Sequence, residues 1–248
     1  MSTSRTLRIL KNVAKAVAFG LILGVMLLLL WRIFSSGAPK KMDVLTPNDS
    51  LVSAYEEHGN DLYMFKQDHK NITTAPNNRG YFSVIDYVII PEANQIQLIF
   101  RYNNSTIRQV AEDKGIDPVP EADAYLFDVS LCIMTDLTPD NDKDNEGNIK
   151  ESVEYTRILP TDSSHAQKTL YNYYRYVFEI DEDRLSLSKL MDSGELLAVF
   201  ADVYYVEEID YEKTPYGTLC LYDYATDKVT VRLSSADRSA IKKYTEDK

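Results

Sequence analysis

YFSVIDYVIIPEANQIQLIFRY, Tyr81 to Tyr102, has the composition and spacing of a β-hairpin. Tyr81 to Ile90 is dense in aromatic and β-branched residues and stops at Pro91. Gln95 to Tyr102 alternates, with Ile96, Leu98 and Phe100 on one side and Gln95, Gln97, Ile99 and Arg101 on the other. A period of two is the signature of a strand with one face on a core. Glu92-Ala93-Asn94 between the runs is of hairpin length.

The same signal recurs toward the C-terminus. Tyr125 to Thr135 turns Tyr125, Phe127, Val129, Leu131 and Ile133 to one side. Val153 to Leu159, Leu170 to Ile180, Leu196 to Glu207, Gly217 to Tyr224 and Lys228 to Leu233 read as further strands, with Ala225-Thr226-Asp227 as a tight turn. Helical spacing is confined to short pieces. Thr46 as N-cap and Pro47 at the first position predict a helix to His58, stopped by Gly59. Ser105 to Lys114 carries Ile107, Val110 and Ala111 at helical spacing before Gly115, and Ser234 or Ser235 can cap a last helix to about Tyr244. About eight strands with no alternating strand–helix rhythm predict a mainly β domain. The expected architecture is an antiparallel β-sandwich, loosely immunoglobulin-like, with a few short helices.

Upstream stands AVAFGLILGVMLLLLW, Ala16 to Trp31, without a charge. With its apolar flanks, 13–34 is long enough to cross a hydrocarbon core of about 30 Å. Lys15 and Arg32 can snorkel, and Trp31 sits where interfacial aromatics belong. Arg5, Arg8, Lys11 and Lys15 precede the span, and no acid occurs before Asp43, which predicts a cytoplasmic N-terminus. The rival reading is a cleaved signal peptide, for which Ser35-Ser36-Gly37-Ala38 offers small residues. Pro39 and the bulky Trp31 to Phe34 approach favour a retained anchor. The expected organisation is a cytoplasmic tail over 1–12, a transmembrane helix over 13–34, a linker over 35–50 and an extracytoplasmic domain over 51–248 ending in a helix. Ala16, Gly20 and Gly24 line one helix face, and Gly20 to Gly24 is a GxxxG pair that lets a second helix approach closely. Self-association and ordinary span composition both account for it.

The chain has 27 basic and 38 acidic residues, and all seven cations of the first 41 residues lie in or beside the span. The remaining domain therefore carries a net charge of −18. Such a domain repels nucleic acid and anionic lipid. Two cysteines, Cys132 and Cys220, fall in predicted strands, where a bridge and two isolated thiols are both open.

The chemistry-bearing motifs are few. Asp140, Asp142, Asp144 and Glu146 space acidic oxygens at every second residue, which suits Ca²⁺. Neither twelve-residue register completes an EF-hand: counting from Asp142 ends on Val153, and counting from Asp140 puts Asn145 where Gly belongs. A polar hairpin loop is the competing reading. In Leu170 to Ile180, Tyr174, Tyr176, Phe178 and Ile180 share the expected core face. Tyr171, Tyr173 and Arg175 then form an exposed strip suited to a sugar or a protein partner. Plain strand packing is the alternative. His58, His69 and His165 match no zinc spacing, and no nucleophile elbow, G-x-G or P-loop occurs. No cofactor and no enzyme activity is expected. Asn48, Asn71, Asn103 and Asn104 begin N-x-Ser/Thr sequons, which matter only in a eukaryotic secretory pathway.

Arg101-Tyr102-Asn103-Asn104-Ser105-Thr106 and Pro215-Tyr216-Gly217-Thr218-Leu219 resemble runs in uncharacterised single-pass membrane-anchored proteins of Gram-positive bacteria. That resemblance implies no site residue. The expected function is a single-pass envelope protein whose outer domain binds a partner protein, the bilayer and the span's own face being the other contacts. A glycan- or Ca²⁺-binding module at the cell wall is the alternative.

Overall fold

The structure is a computed structural model that describes residues 3–36, 39, 42, 44–67, 82–121, 127–136, 153–168, 170–205, 215 and 217–248. It opens with one long helix, α1 (Thr3–Ser36). Within α1, Lys11–Arg32 has a mean hydropathy of 2.5 and is long and apolar enough to cross a membrane, and none of it is buried against the rest of the protein. Length and composition are all that this establishes, since a signal sequence near the N-terminus has the same properties.

Among the described residues ten strands follow: β1 (Met64–Gln67), β2 (Phe82–Ile90), β3 (Gln95–Asn103), β4 (Phe127–Asp136), β5 (Val153–Ile158), β6 (Asp162–Gln167), β7 (Tyr171–Glu179), β8 (Leu196–Tyr205), β9 (Gly217–Asp223) and β10 (Lys228–Val231). They form two sheets, six-stranded in the order β10-β1-β2-β3-β7-β6 and four-stranded in the order β5-β4-β8-β9. Every pairing is antiparallel. The opening hairpin is β2–β3, closed by a 3-10 turn at Pro91–Ala93 with Asn94 in the left-handed region at φ 48°. The turn around Thr226 does not close a hairpin. β9 and β10 belong to different sheets, so it is a corner, as is Leu159-Pro160-Thr161 between β5 and β6.

The sheets share one core. Ile96, Leu98 and Phe100 of β3 and Tyr174, Tyr176 and Phe178 of β7 face Phe127, Val129, Leu131 and Ile133 of β4 and Val199, Ala201 and Val203 of β8. For β3, β4 and β7 these are the faces that alternation assigned. The tyrosines serve this core. Tyr176 is fully buried and donates its hydroxyl to the Phe127 carbonyl at 3.3 Å, and Tyr102 and Tyr174 stack at 5.8 Å with their hydroxyls 3.4 Å apart. A buried phenol keeps its apolar payload only if its O–H is satisfied.

The described residues also form four shorter α-helices: α2 (Asp49–His58), α3 (Asn104–Lys114), α4 (Leu187–Ser193) and α5 (Ser235–Glu246). The first starts later than Thr46 and Pro47 suggested, because Asn48 is the N-cap and its side chain accepts from the Leu51 N–H at 2.9 Å. α5 opens with a capping box between Ser234 and Asp237. α4 and β6 had no sequence signal. α4 is only two turns long, and β6 (DSSHAQ) is an exposed edge strand with no apolar face to alternate.

Candidate functional site

The outer face of the six-stranded sheet is not a surface. α2 and α5 lie over it, and Leu51, Ala54, Leu233 and Ile241 pack against Met64, Val88 and Ile90. Met42 and residues 44–48, which precede α2, cross the same face as a strap. Met42 is 2 % exposed and packs with Ile99, Ala166 and Tyr173. One side-chain amide holds the strap. Gln97 Oε1 accepts the Thr46 N–H at 2.9 Å and Gln97 Nε2 donates to the Thr46 carbonyl at 2.8 Å, much as a neighbouring strand would. One residue earlier, the Leu45 N–H donates to Asp237 Oδ1 of the α5 capping box at 2.8 Å.

This layer corrects the expected aromatic strip. Tyr173 is 0 % and Arg175 is 5 % exposed, and Tyr171 is half-buried. The three do share a face, as alternation required, but the face is covered. Arg101 stacks on the Tyr171 ring at 4.4 Å, Lys168 lies 5.8 Å from the Tyr173 ring centroid, and Arg175 Nη1 donates to Gln97 Oε1 at 3.0 Å. A sugar cannot stack on a buried Tyr173, so the glycan reading loses its platform. The sequence could not show this, because the covering residues lie far from β7 along the chain.

Between strap and sheet a cavity of about 270 Å³ remains. Leu45, Met64, Val88, Ile99 and Val231 line it together with Gln97 and Arg175. Lys66, Asp86, Tyr87, Leu98, Arg232 and Asp237 complete the lining, with Lys66 Nζ 2.8 Å from Asp86 Oδ1.

The outer face of the four-stranded sheet differs. Across its middle run Arg157, Cys132, Phe200 and Cys220, in register on β5, β4, β8 and β9. The next row pairs Tyr155 with Met134 and Met134 with Ala198. Tyr155 is 65 % exposed, and Met134, Cys132, Phe200 and Cys220 are half-buried. Toward one end a polar network closes the face. Arg157 Nη1 donates to Ser130 Oγ at 2.9 Å and to Tyr204 Oη at 2.7 Å, and it lies 3.8 Å from Asp202 Oδ2. Thr218 donates to Asp202 Oδ1 at 2.7 Å. Burial nevertheless pushes the Asp202 carboxyl above its ordinary range, the Thr218 bond and the Arg157 charge only partly opposing it. Asp128, Asp136 and Asp223 stand at the strand ends of this sheet.

Burial raises both thiols, with the Asp202 charge adding to the effect at Cys132 and the Asp223 charge at Cys220, so they stay protonated and poorly nucleophilic. They flank Phe200 on non-adjacent strands and are not bridged. His165 stacks on Tyr174 at 4.6 Å with Nε2 3.1 Å from Asn172 Oδ1, and His58 lies 3.8 Å from Glu92. Among the described residues no three His, Cys, Asp or Glu side chains are placed to hold a metal ion. Asp140, Asp142, Asp144 and Glu146, with His69, lie outside the described residues. Ala16, Gly20 and Gly24 are exposed on α1, and a Cβ added at either glycine would meet nothing within 4 Å. Comparison of the chain with protein-family models, with curated proteins and with solved structures finds no match.

Proposed function

We propose that this is a single-pass membrane protein with a cytoplasmic N-terminus, whose acidic two-sheet domain stands outside the membrane and binds a basic protein partner in the cell envelope. The two sheets packed face to face are read as a sandwich, immunoglobulin-like only loosely, since six and four strands depart from the four-and-three plan of that fold. One observation carries the reading: the two outer faces are treated differently. The six-stranded sheet is roofed by the strap, α2 and α5, whereas no hydrophobic cluster among the described residues covers Met134, Phe200 and Tyr155. An apolar centre with an acidic border suits a partner with an apolar, basic face.

Size sets the footprint. Four strands about 4.8 Å apart and six residues rising about 3.4 Å each give roughly 400 Å², half of the ~800 Å² per partner of a stable interface. The partner must therefore also reach the free β5 edge, where Val153 is 37 % and Leu159 is 48 % exposed. Edge strands accept an added strand through their backbone groups.

Photo-cross-linking in intact cells from position 155 or 200, with position 163 on β6 as the control, tests this. The expected result is one adduct to a basic protein, absent from the control and lost in Phe200→Glu. It persists when Gly20 and Gly24 are both changed to Leu, which locates the contact on the domain. An adduct that vanishes in the double-Leu variant assigns the contact to the membrane helices and refutes the docking face, and so does equal labelling from position 163.

A further inference from the structure

The domain is joined to the long helix by a short tether. Lys11–Arg32 is the part of α1 apolar enough to cross a bilayer, and α1 continues to Ser36. Residues 33–36 rise about 6 Å, the depth of one headgroup layer, ~5–7 Å. From Ser36 to Pro39 the chain covers at most about 11 Å, at 3.8 Å per Cα step. The Met42 N–H then donates to the Pro39 carbonyl at 2.7 Å, a turn that keeps those two Cα atoms within ~7 Å. The tether ends at Met42, which is 2 % exposed and packs on Ile99, Ala166 and Tyr173, with the Thr46 backbone held by Gln97 just beyond. Arg32, Lys40 and Lys41 are the only charges from Arg32 to Met42, and cations suit the headgroup layer.

Ser36 at the outer edge of the headgroups puts Met42 no more than about 18 Å above them. A folded body of about 200 residues has a radius of gyration near ~16 Å, hence a radius of ~21 Å as a sphere. A residue level with the centre of such a body would stand ~21 Å up, out of reach of the tether. Met42 therefore lies in the half of the domain nearer the bilayer. It sits on the outer side of the six-stranded sheet, whereas Phe200 and Tyr155 sit on the outer side of the four-stranded sheet, with the core between. We propose that the tether holds the strap side of the domain toward the lipid headgroups and turns the face around Phe200 and Tyr155 away from the bilayer. This orientation rests on the reading of α1 as a span, and it narrows the partner to a basic protein that stands off the bilayer. The net charge of −18 opposes contact with anionic lipid, so chain length and not attraction sets the approach.

The test uses the full chain in phosphatidylcholine vesicles that contain a rhodamine-headgroup lipid, with one fluorescent amino acid at position 164 or at position 155. Ser164 is exposed and shares the strap face of β6 with Ala166, and Tyr155 is 65 % exposed on the other sheet. The sheets stand ~10 Å apart and outward side chains add to that, so energy transfer from position 164 is expected to exceed that from position 155 roughly twofold. About twenty Gly/Ser residues inserted between Gly37 and Ala38 add roughly 25 Å of root-mean-square reach and are expected to erase the difference, the strap and the domain being unchanged. Equal transfer from the two positions, the reverse ranking, or a ranking that survives the insertion overturns the orientation and leaves α1 a span. Release of the chain from the vesicles by alkaline carbonate shows that α1 does not span, and overturns the membrane reading and the orientation together.

Discussion

Replacing Gln97 with Ala removes the residue through which the strap, β3 and β7 meet. Gln97 is 2 % exposed and its amide makes four hydrogen bonds: to the Thr46 N–H, the Thr46 carbonyl, Gln95 Oε1 and Arg175 Nη1, all between 2.8 and 3.0 Å. Each intramolecular bond is worth about 1 kcal/mol net, and each buried partner left orphaned costs about 1–3 kcal/mol. Thr46 is half-buried, so its backbone can recover water if the strap lifts, which lowers the sum. The expected loss is about 3 kcal/mol, large against a total stability of ~5–15 kcal/mol. For a domain of this size that lowers Tm by roughly 6–12 °C. Gln97→Glu keeps an acceptor for Thr46 and Arg175 but loses both donations, so it is expected to fall between wild type and Gln97→Ala. Denaturant unfolding gives the free energies, and hydrogen exchange at Leu45 and Thr46 reports the strap. A loss below about 1 kcal/mol with unchanged exchange at those amides refutes the reasoning, because one kcal/mol is the net worth of a single ordinary bond.

Two further outcomes follow from the packing. A Cβ at Gly217 would sit 2.3 Å from Phe82 Cζ, and Phe82 is held by Phe100 at 5.3 Å and Phe127 at 5.6 Å. Gly217→Ala is expected to cost about 1–3 kcal/mol by overpacking, and a double-mutant cycle should show part of the cost relieved in Phe82→Leu; strict additivity would contradict the contact. Burial raises the Asp202 carboxyl in the folded state, so its contribution to stability is present at acid pH and is lost as pH rises through that raised value. Wild type should accordingly lose stability relative to Asp202→Asn as pH climbs from the ordinary carboxylate range toward neutrality, as read from unfolding free energies at several pH values. A flat or opposite difference counts against the burial of that carboxylate.

The division between what was readable and what was not runs along the two faces of β3. Ile96, Leu98 and Phe100 were assignable to a core from their spacing alone, and they are buried. Gln95, Gln97 and Ile99 were assigned to the opposite face, also correctly, yet each is 5 % exposed or less. Nothing local distinguishes a polar face that meets water from one that meets another layer. Tyr173 and Arg175 misled for that reason. Gly217 carried no readable signal either, since its role depends on a phenylalanine of the other sheet.

By itself the sequence determined the long apolar helix, the β character of the domain, its acidity, the inward faces of β3, β4 and β7, the helix stop at Gly115 and a last helix capped at Ser234 or Ser235. Those are consequences of spacing, capping chemistry and charge within a few residues of one another. The tertiary structure decided which strands share a sheet, that Met42 and Thr46 lie across β3 and β7, and that one outer sheet face is roofed while the other keeps Phe200 and Tyr155 accessible. The cavity at Arg175 is of the same kind, because its walls come from β1, β2, β3, β7, β10, α5 and the strap. The physical reason is range. Periodicity records that a residue must be buried on one side, and only the packed chain sets what lies over the other.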